Sequence, residues 1–400
     1  MGKIRSFIHQ NKTLYNLSLI TINLLLSLRF GICYMLLRVL PLRKNKIVIS
    51  SYHGKGFGDN GKYLVNALLG QSATYDLVWS VKQNLLSNTG LPAQVRPVEY
   101  GSLREIYELA TAKIWIDNMR KPFFMCKRKT QFYIQTWHGS IGVKMIEKDA
   151  EDSLPGIYIK TAKADSRMTD LCIANGKHIS NLYKNSFWYS GEILMSGCPR
   201  NDIFFEQSAQ IKTKVFEHFD LHADTKIVLY APTFRQDRSH EAWDIDFDAC
   251  ISALTHRWGG NWTVLMRLHP NRASQPLGIS CQSVVNASLY GDMQELLAAS
   301  DVLITDYSSS IFEFSLQQKP AFLFTPDITD YLNERGFYFD LSQLPFPQST
   351  SNEQLIEQIS DFDTYRYRSE LLKFFAQQEV CDDGNASKRV VERINSEIAN

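Results

Sequence analysis

At 400 residues the chain exceeds what one ordinary core encloses and suits two domains of roughly 150–200 residues each. With 44% hydrophobic and 12% aromatic residues it has the composition of a folded protein, which excludes disorder as its default state. The net charge of +1 gives no overall attraction for nucleic acid, and seven scattered cysteines without a C-x-x-C pair exclude a disulfide framework and fit a reducing cytosol.

Charge is unevenly distributed at the N-terminus. No Asp or Glu precedes Asp59, whereas Lys3, Arg5, Lys12, Arg29, Arg38, Arg43, Lys44, Lys46 and Lys55 all do. Leu14 to Leu40 is apolar, but its uncharged stretch between Lys12 and Arg29 is 16 residues, short of the ~20 that a spanning helix needs. Lys12, Asn16, Asn23 and Ser27 share one helical face, which Phe30 and Tyr34 interrupt. Residues 1–40 are therefore expected to form a membrane-associating helical segment lying on the anionic cytoplasmic leaflet, held by apolar burial and basic residues. The alternatives are a helix packed on the protein's own core and a signal peptide. The latter lacks a small-residue cleavage site before Pro41.

Beyond residue 40, short apolar runs alternate with helical patterns. The expected strands are Ile47–Ser51, Tyr75–Val81, Lys113–Ile116, Phe132–Trp137, Leu171–Ala174 and Glu192–Met195, with a helix from about Gly61 to Leu69. Ser196 to Asp202 reads as the turn leaving the first domain. A helical stretch, 204–219, leads to further strands at 227–230, 263–268, 283–285, 302–305 and 321–324. The tail, about 353–396, reads as helices broken at Asp382-Asp-Gly384-Asn. This alternation predicts an α/β protein of two Rossmann-like, doubly wound domains facing a cleft, at 41–203 and 204–380, followed by a C-terminal helix at 381–400.

Several of these runs stop at chemically capable residues, and open α/β sheets bind ligands beyond the carboxyl ends of their strands. Phe132–Trp137 runs into His138-Gly139, 263–268 into His269-Pro270, and 302–305 into Asp306-Tyr-Ser-Ser-Ser310. Residues Ile227–Tyr230 run into Ala-Pro-Thr-Phe-Arg235. The serines can cap the following helix, and Ser310-x-x-Glu313 has capping-box spacing. The same amides and hydroxyls also suit an anion. Arg267 stands two residues before His269 and would share its side of the strand, a pairing suited to phosphate. Arg235 offers a planar fork for phosphate, or is a surface arginine. Gly54-Lys-Gly56-Phe-Gly58 follows a strand and precedes a helix, as phosphate loops do, but matches neither the Rossmann fingerprint nor a Walker A loop. A tight turn serves the same spacing. No clustered carboxylate set reads as a metal site, and no obligatory metal or other cofactor is expected.

Taken together, these segments resemble the CDP-glycerol glycerophosphotransferase family of teichoic-acid primases and polymerases. The resemblance is carried by Ser50–Asn60, Thr136-Trp-His-Gly139, Gly197–Asp202, Tyr230–Arg235, Arg267-Leu-His-Pro270, Ser300–Ser309, Arg335–Asp340 and Asp382–Ser387, in order over about 41–396. Phe234 and Ser140 stand where the family usually has tryptophan and threonine. The resemblance implies a GT-B-like fold, with the donor in the C-terminal domain and the acceptor nearer the N-terminal one. It implies transfer of a polyol phosphate, glycerol phosphate before ribitol phosphate, from a CDP-polyol to a hydroxyl of a polyprenyl-linked glycan or polyol-phosphate acceptor, releasing CMP.

By the same resemblance His138 would be the general base and His269 would bind the donor diphosphate. Arg235, Asp306, Ser308, Ser309 and Glu313 would line the donor site, which Arg267 joins by its place beside His269. The loop Gly54, Gly56, Gly58 and Asn60 could serve acceptor or phosphate. A nucleotide-sugar glycosyltransferase of the same fold and a non-catalytic membrane-bound module are the competing functions.

Overall fold

The computed structural model describes residues 29–206, 209–233, 245–268, 281, 283–329 and 336–399. Two parallel sheets organise the chain. The first contains β1 (Arg43–Ser50), β2 (Asp76–Val81), β3 (Arg96–Glu99), β4 (Ala112–Asp117), β5 (Phe132–Gln135), β6 (Leu171–Ala174) and β7 (Glu192–Met195), in the order β3-β2-β1-β4-β5-β6-β7. The second contains β8 (Thr225–Ala231), β9 (Asn261–Met266), β10 (Val284–Asn286), β11 (Val302–Thr305), β12 (Ala321–Phe324) and β13 (Gln348–Ser349), in the order β10-β9-β8-β11-β12-β13. Each sheet winds outward in both directions from its first strand. Each therefore has a switch point, between β1 and β4 in one and β8 and β11 in the other, where the crevice for a ligand opens.

Local sequence explains the central elements. Ile47, Val48 and Ile49 of β1 are fully or almost fully buried, as are Leu303 and Ile304 of β11, because helices cover both faces of a parallel sheet. Helices α1 (Asp59–Leu69), α2 (Leu103–Thr111), α3 (Gly156–Met168) and α4 (Lys177–Asn185) flank the first sheet. Ser102 caps α2 by accepting from the Glu105 amide at 3.1 Å, while the Glu105 carboxylate accepts from the Gly101 amide at 2.6 Å. Helices α5 (Ala209–Phe219), α6 (Phe247–Trp258), α7 (Met293–Ala299), α8 (Ser310–Ser315), α9 (Asn352–Ser360) and α10 (Thr364–Gln377) belong to the second half.

The last helix, α11 (Ala386–Ala399), returns to the first half. Its Val390, Val391 and Ile394 are buried in the core formed by Ile47, Ile49, Leu64 and Trp79. The Asp202 carboxylate fixes its start, accepting from the amides of Ala386 at 2.9 Å and Ser387 at 2.8 Å.

Four details differ from the sequence expectation. β3 and β13 are additional strands at sheet edges. Pro97 is tolerated in β3 because an edge strand leaves one side of its ladder unpaired. β5 ends at Gln135, since Trp137 turns into the left-handed region with φ of 53°. The stretch leading out of the first domain is a short 3-10 segment, Pro199–Phe204, so no helix starts at Phe204, and the described part of the next helix, α5, is Ala209–Phe219.

At the N-terminus, residues 29–37 are helical, and residues 1–28 lie outside the described residues. Phe30 and Tyr34 pack against Val48, Trp115 and Tyr133, and the Tyr34 hydroxyl donates to Gln131 Oε1 at 2.7 Å. The opposite side exposes Ile32, Met35, Leu36 and Val39 at 57%, 69%, 67% and 84%. The two aromatics that interrupted the polar face are thus the ones that dock the segment on the core. No helix among the described residues is long and apolar enough to cross a membrane.

Candidate active site

The two switch points face one another across a cavity of about 1010 Å³. The first half contributes His138 from the loop after β5, and Tyr52, Gly56 and Gly58 from the loop after β1. The second contributes Thr233, Arg267, Ser308, Ser309 and Glu313.

His138 is the best-defined group. Its Nδ1 lies 2.8 Å from the Asn118 carbonyl oxygen at the end of β4. A carbonyl can only accept, so Nδ1 carries the proton, and in the neutral ring Nε2 is left with its lone pair. The ring lies against Trp137, with centroids 4.3 Å apart, and meets the edge of Tyr52 at 5.9 Å. Burial lowers the imidazole below its ordinary value of 6.5, against the opposing pull of the Asn118 carbonyl and Asp59. At neutral pH the geometry therefore presents an unprotonated acceptor nitrogen, the requirement for a general base.

The backbone around this histidine is strained. Tyr52, His53, Asp59 and Trp137 all have positive φ, between 48° and 57°. Such conformations persist where surrounding contacts over-determine them, and they gather at functional sites. Here the contacts are visible. The Asn118 side chain accepts from the Tyr52 amide at 2.8 Å and donates to Asp59 Oδ2 at 2.7 Å. Asn60 Nδ2 donates to the carbonyls of Thr136 at 3.4 Å and Trp137 at 3.3 Å. Arg200, from Gly197-Cys-Pro-Arg200, donates to Asp59 at 2.7 Å and Glu313 at 2.6 Å, so it ties both halves together.

In the second half, Asp306 does not line the cavity. Both of its carboxylate oxygens accept from the Thr233 amide, at 3.0 and 2.9 Å, and one accepts from the Thr233 hydroxyl at 2.9 Å. It thereby ties the strand ends of β8 and β11. Ser308 and Ser309 are half-buried at the cleft, and the Ser308 hydroxyl accepts from that of Ser310 at 2.8 Å. Arg267 extends beyond the end of β9 and donates to the Tyr290 carbonyl at 2.7 Å while reaching the cavity.

Three expectations are corrected. Ser310 and Glu313 do not form a capping box: Ser309 is the N-cap without a side-chain bond, and the Glu313 carboxylate is taken by Arg200 and Gln294. Gly54 faces away from the cleft. Its φ of 77° lets it turn beside β2, where a Cβ would lie 2.9 Å from Tyr100 Cβ. Asn60 braces the His138 loop from behind and does not touch the cavity. Gly56 and Gly58 do line it. His269 and Arg235 lie outside the described residues.

Sequence reading passed over Asp59, Asn118 and Arg200 as individual groups, although each stood within or beside a segment it had singled out. It also counted no D-x-D pattern, although Asp244-x-Asp246-x-Asp248 and Asp361-x-Asp363 have that spacing. Asp246 and Asp363 are helix N-caps, accepting from the amides of Ala249 at 2.9 Å and of Tyr365 at 2.9 Å. Among the described residues no cluster of His, Cys, Asp and Glu has metal-binding proximity.

Residues 32–396 match the family model described as CDP-Glycerol:Poly(glycerophosphate) glycerophosphotransferase. The chain belongs to this family. It is thus a transferase of the glycerophosphotransferase kind, with a GT-B-like fold. It is 28% identical over 381 residues to the teichoic acid poly(glycerol phosphate) polymerase of Bacillus spizizenii, covering 91% of this chain and 95% of that one. It is 29% identical over 388 residues to the teichoic acid glycerol-phosphate transferase of Staphylococcus aureus, covering 90% and 95%. It spans 51% of the length of two longer poly(glycerol phosphate) polymerases, from Staphylococcus epidermidis and Bacillus subtilis. The solved wall teichoic acid polymerase TagF superposes with a TM-score of 0.81 at 26% identity, over 96% of this chain and 97% of that one.

Proposed function

We propose that this glycerophosphotransferase moves a polyol phosphate, most simply glycerol phosphate, from a CDP-polyol to a hydroxyl of a membrane lipid-linked acceptor and releases CMP, in the building of a teichoic-acid-like or capsular polymer. The observation that carries this reading is the His138 imidazole, proton-locked on the Asn118 carbonyl, facing Ser308, Ser309 and Arg267 across one cavity. The acceptor oxygen forms a bond to the polyol-bearing phosphorus as the bond to the bridging oxygen breaks. CMP leaves, and the hydroxyl proton passes to His138 Nε2.

The chemistry of phosphoryl transfer asks mainly for positioning and for stabilised charge on the phosphate oxygens. On the donor side, Arg267, Ser308 and Ser309 are the donors facing the cavity. By resemblance, His269 and Arg235 complete that set. Glu313 borders the same cavity while its carboxylate holds Arg200, and Asp306 acts behind it, holding Thr233. Gly56 and Gly58 border the acceptor side.

The enzyme is proposed to work at the cytoplasmic face of the membrane, where a polyprenyl-linked acceptor is confined. Support comes from the exposed Ile32, Met35, Leu36 and Val39 beside the exposed Arg29, Arg38, Arg43 and Lys44.

The deciding experiment measures nucleotide release by detergent-purified protein given CDP-glycerol, CDP-ribitol and UDP- or GDP-sugars in parallel, with a lipid-linked acceptor. CMP from a CDP-polyol, lost in His138→Ala, is the expected outcome. UDP or GDP from a sugar donor, with no CMP, would overturn the reading in favour of glycosyl transfer.

A further inference from the structure

Between the donor side of the cleft and His138 runs a continuous chain of buried polar groups. It starts at Glu313, three residues into the helix that follows the serines. Its carboxylate accepts from Arg200 Nη2 at 2.6 Å. Arg200 Nη1 donates to Asp59 Oδ1 at 2.7 Å. Asp59 Oδ2 accepts from Asn118 Nδ2 at 2.7 Å, and the Asn118 carbonyl accepts from His138 Nδ1 at 2.8 Å. Glu313, Arg200, Asp59 and Asn118 are all buried, at 4%, 3%, 7% and 1% exposure.

Every link has a definite polarity. Arg200 only donates and the two carboxylates only accept, so the Asn118 amide must turn its NH₂ toward Asp59 and its oxygen toward the Tyr52 amide. That fixes the Asn118 side chain from two sides. The carbonyl of the same residue then fixes which imidazole nitrogen of His138 is protonated. Asn60, the neighbour of Asp59, accepts from the Arg200 amide at 3.1 Å and holds the Trp137 carbonyl beside His138. Arg200 thus reaches both sides of the base, while its second carboxylate partner comes from the other half of the molecule.

We infer that Asp59 and Asn118 are positioning residues for His138, and that the Glu313–Arg200 pair links the pose of the base to the docking of the two halves. Packing alone does not call for this arrangement, since burying two carboxylates and a guanidinium is costly compared with apolar residues of the same volume. The chain explains the positive φ at Tyr52, Asp59 and Trp137, three backbone turns that bring these groups to one point. The inference rests on His138 as the proton acceptor proposed above.

The test uses the full chain in detergent with CDP-glycerol and lipid-linked acceptor. Asn118→Ala keeps the backbone carbonyl but frees it to move. It is expected to lower kcat by about 10- to 100-fold, the usual cost of losing an outer positioning contact, with the KM for donor changed less than about threefold. In ¹⁵N-histidine spectra, the resonance that disappears in His138→Ala is expected to show a protonated Nδ1 in the parent protein and a mixed tautomer in Asn118→Ala. Asp59→Asn keeps the shape and removes a charge. The charged groups acting on His138 are Asp59, Arg200 and Glu147; the two carboxylates favour the imidazolium, Asp59 more than Glu147, and Arg200 opposes it. The acid limb of kcat/KM should therefore move to lower pH in Asp59→Asn.

A structural role alone would lower the melting temperature and leave tautomer and limb in place, which would overturn the inference. His138→Ala with full activity would instead sink the general-base reading. The tautomer measurement needs no substrate, so it separates the two failures.

Discussion

Around the cleft, the two halves use their polar side chains differently. In the first half Asp59, Asn60, Asn118 and Arg200 bond to one another, to backbone and, through Arg200, to Glu313, and this network surrounds a histidine held in one tautomer. In the second half Asp306 clamps Thr233, and the hydrogen-bond donors facing the cavity include Ser308, Ser309 and Arg267, beside the acidic Asp292, Glu313 and Asp327. A general base must be held in one protonation state and direction, which takes a connected network. The diphosphate site proposed for the second half needs donors in number, which strand-end turns provide directly. The same doubly wound sheet, with the same switch point, has thus been finished in two ways.

The comparison breaks most sharply at His138. His138→Ala is expected to lower kcat for CMP release by about 10²- to 10⁴-fold, the usual worth of a positioned general base, in a radiolabelled-donor assay. Arg200→Ala strips the partner from two buried carboxylates. It should cost about 3–5 kcal/mol of stability, read by urea denaturation, and a loss confined to activity would show the pair to be dispensable for docking the halves. Asp306→Ala leaves the Thr233 amide and hydroxyl without this acceptor. It should cost about 1–3 kcal/mol and act on the KM for the CDP-polyol more than on the pH profile, setting the donor half apart from the base half.

A smaller effect sharpens the contrast through pH. The His138 imidazole is held below its ordinary 6.5 by burial, so the neutral, proton-accepting form persists to lower pH than in a free histidine. Activity should be intact at pH 7 and fall as pH drops through that lowered value. The acid limb of kcat/KM should lie below pH 6.5, and a limb above it would contradict the burial argument. Turnover is expected to survive rigorous chelation, and loss restored by Mg²⁺ would overturn that expectation.

Much of the fold was legible because buried parallel strands read as unbroken apolar runs, as in Ile47-Val-Ile49 and Val302-Leu-Ile304. Two of the four edge strands escaped, since Arg96-Pro97-Val98-Glu99 and the two-residue Gln348–Ser349 carry neither alternation nor an apolar run. In the site, His138, Ser308 and Ser309 could be picked out because they stand where strands stop. Ser310-x-x-Glu313 misled for an instructive reason: its spacing satisfies a local rule, but a guanidinium 113 positions away outcompetes the helix terminus for the carboxylate.

The sequence by itself determined the two-sheet architecture, the family and the residues at the strand ends, because each of these is written in local pattern. The tertiary structure alone decided which of those residues face the cleft and which stand behind it. Asp59 meets Asn118 across 59 positions and Arg200 across 141, and Gly54 turns away while Gly56 does not. The physical reason is that a buried charge is stable only beside its partner. Partners brought together by the crossovers of two sheets leave no periodicity in the chain.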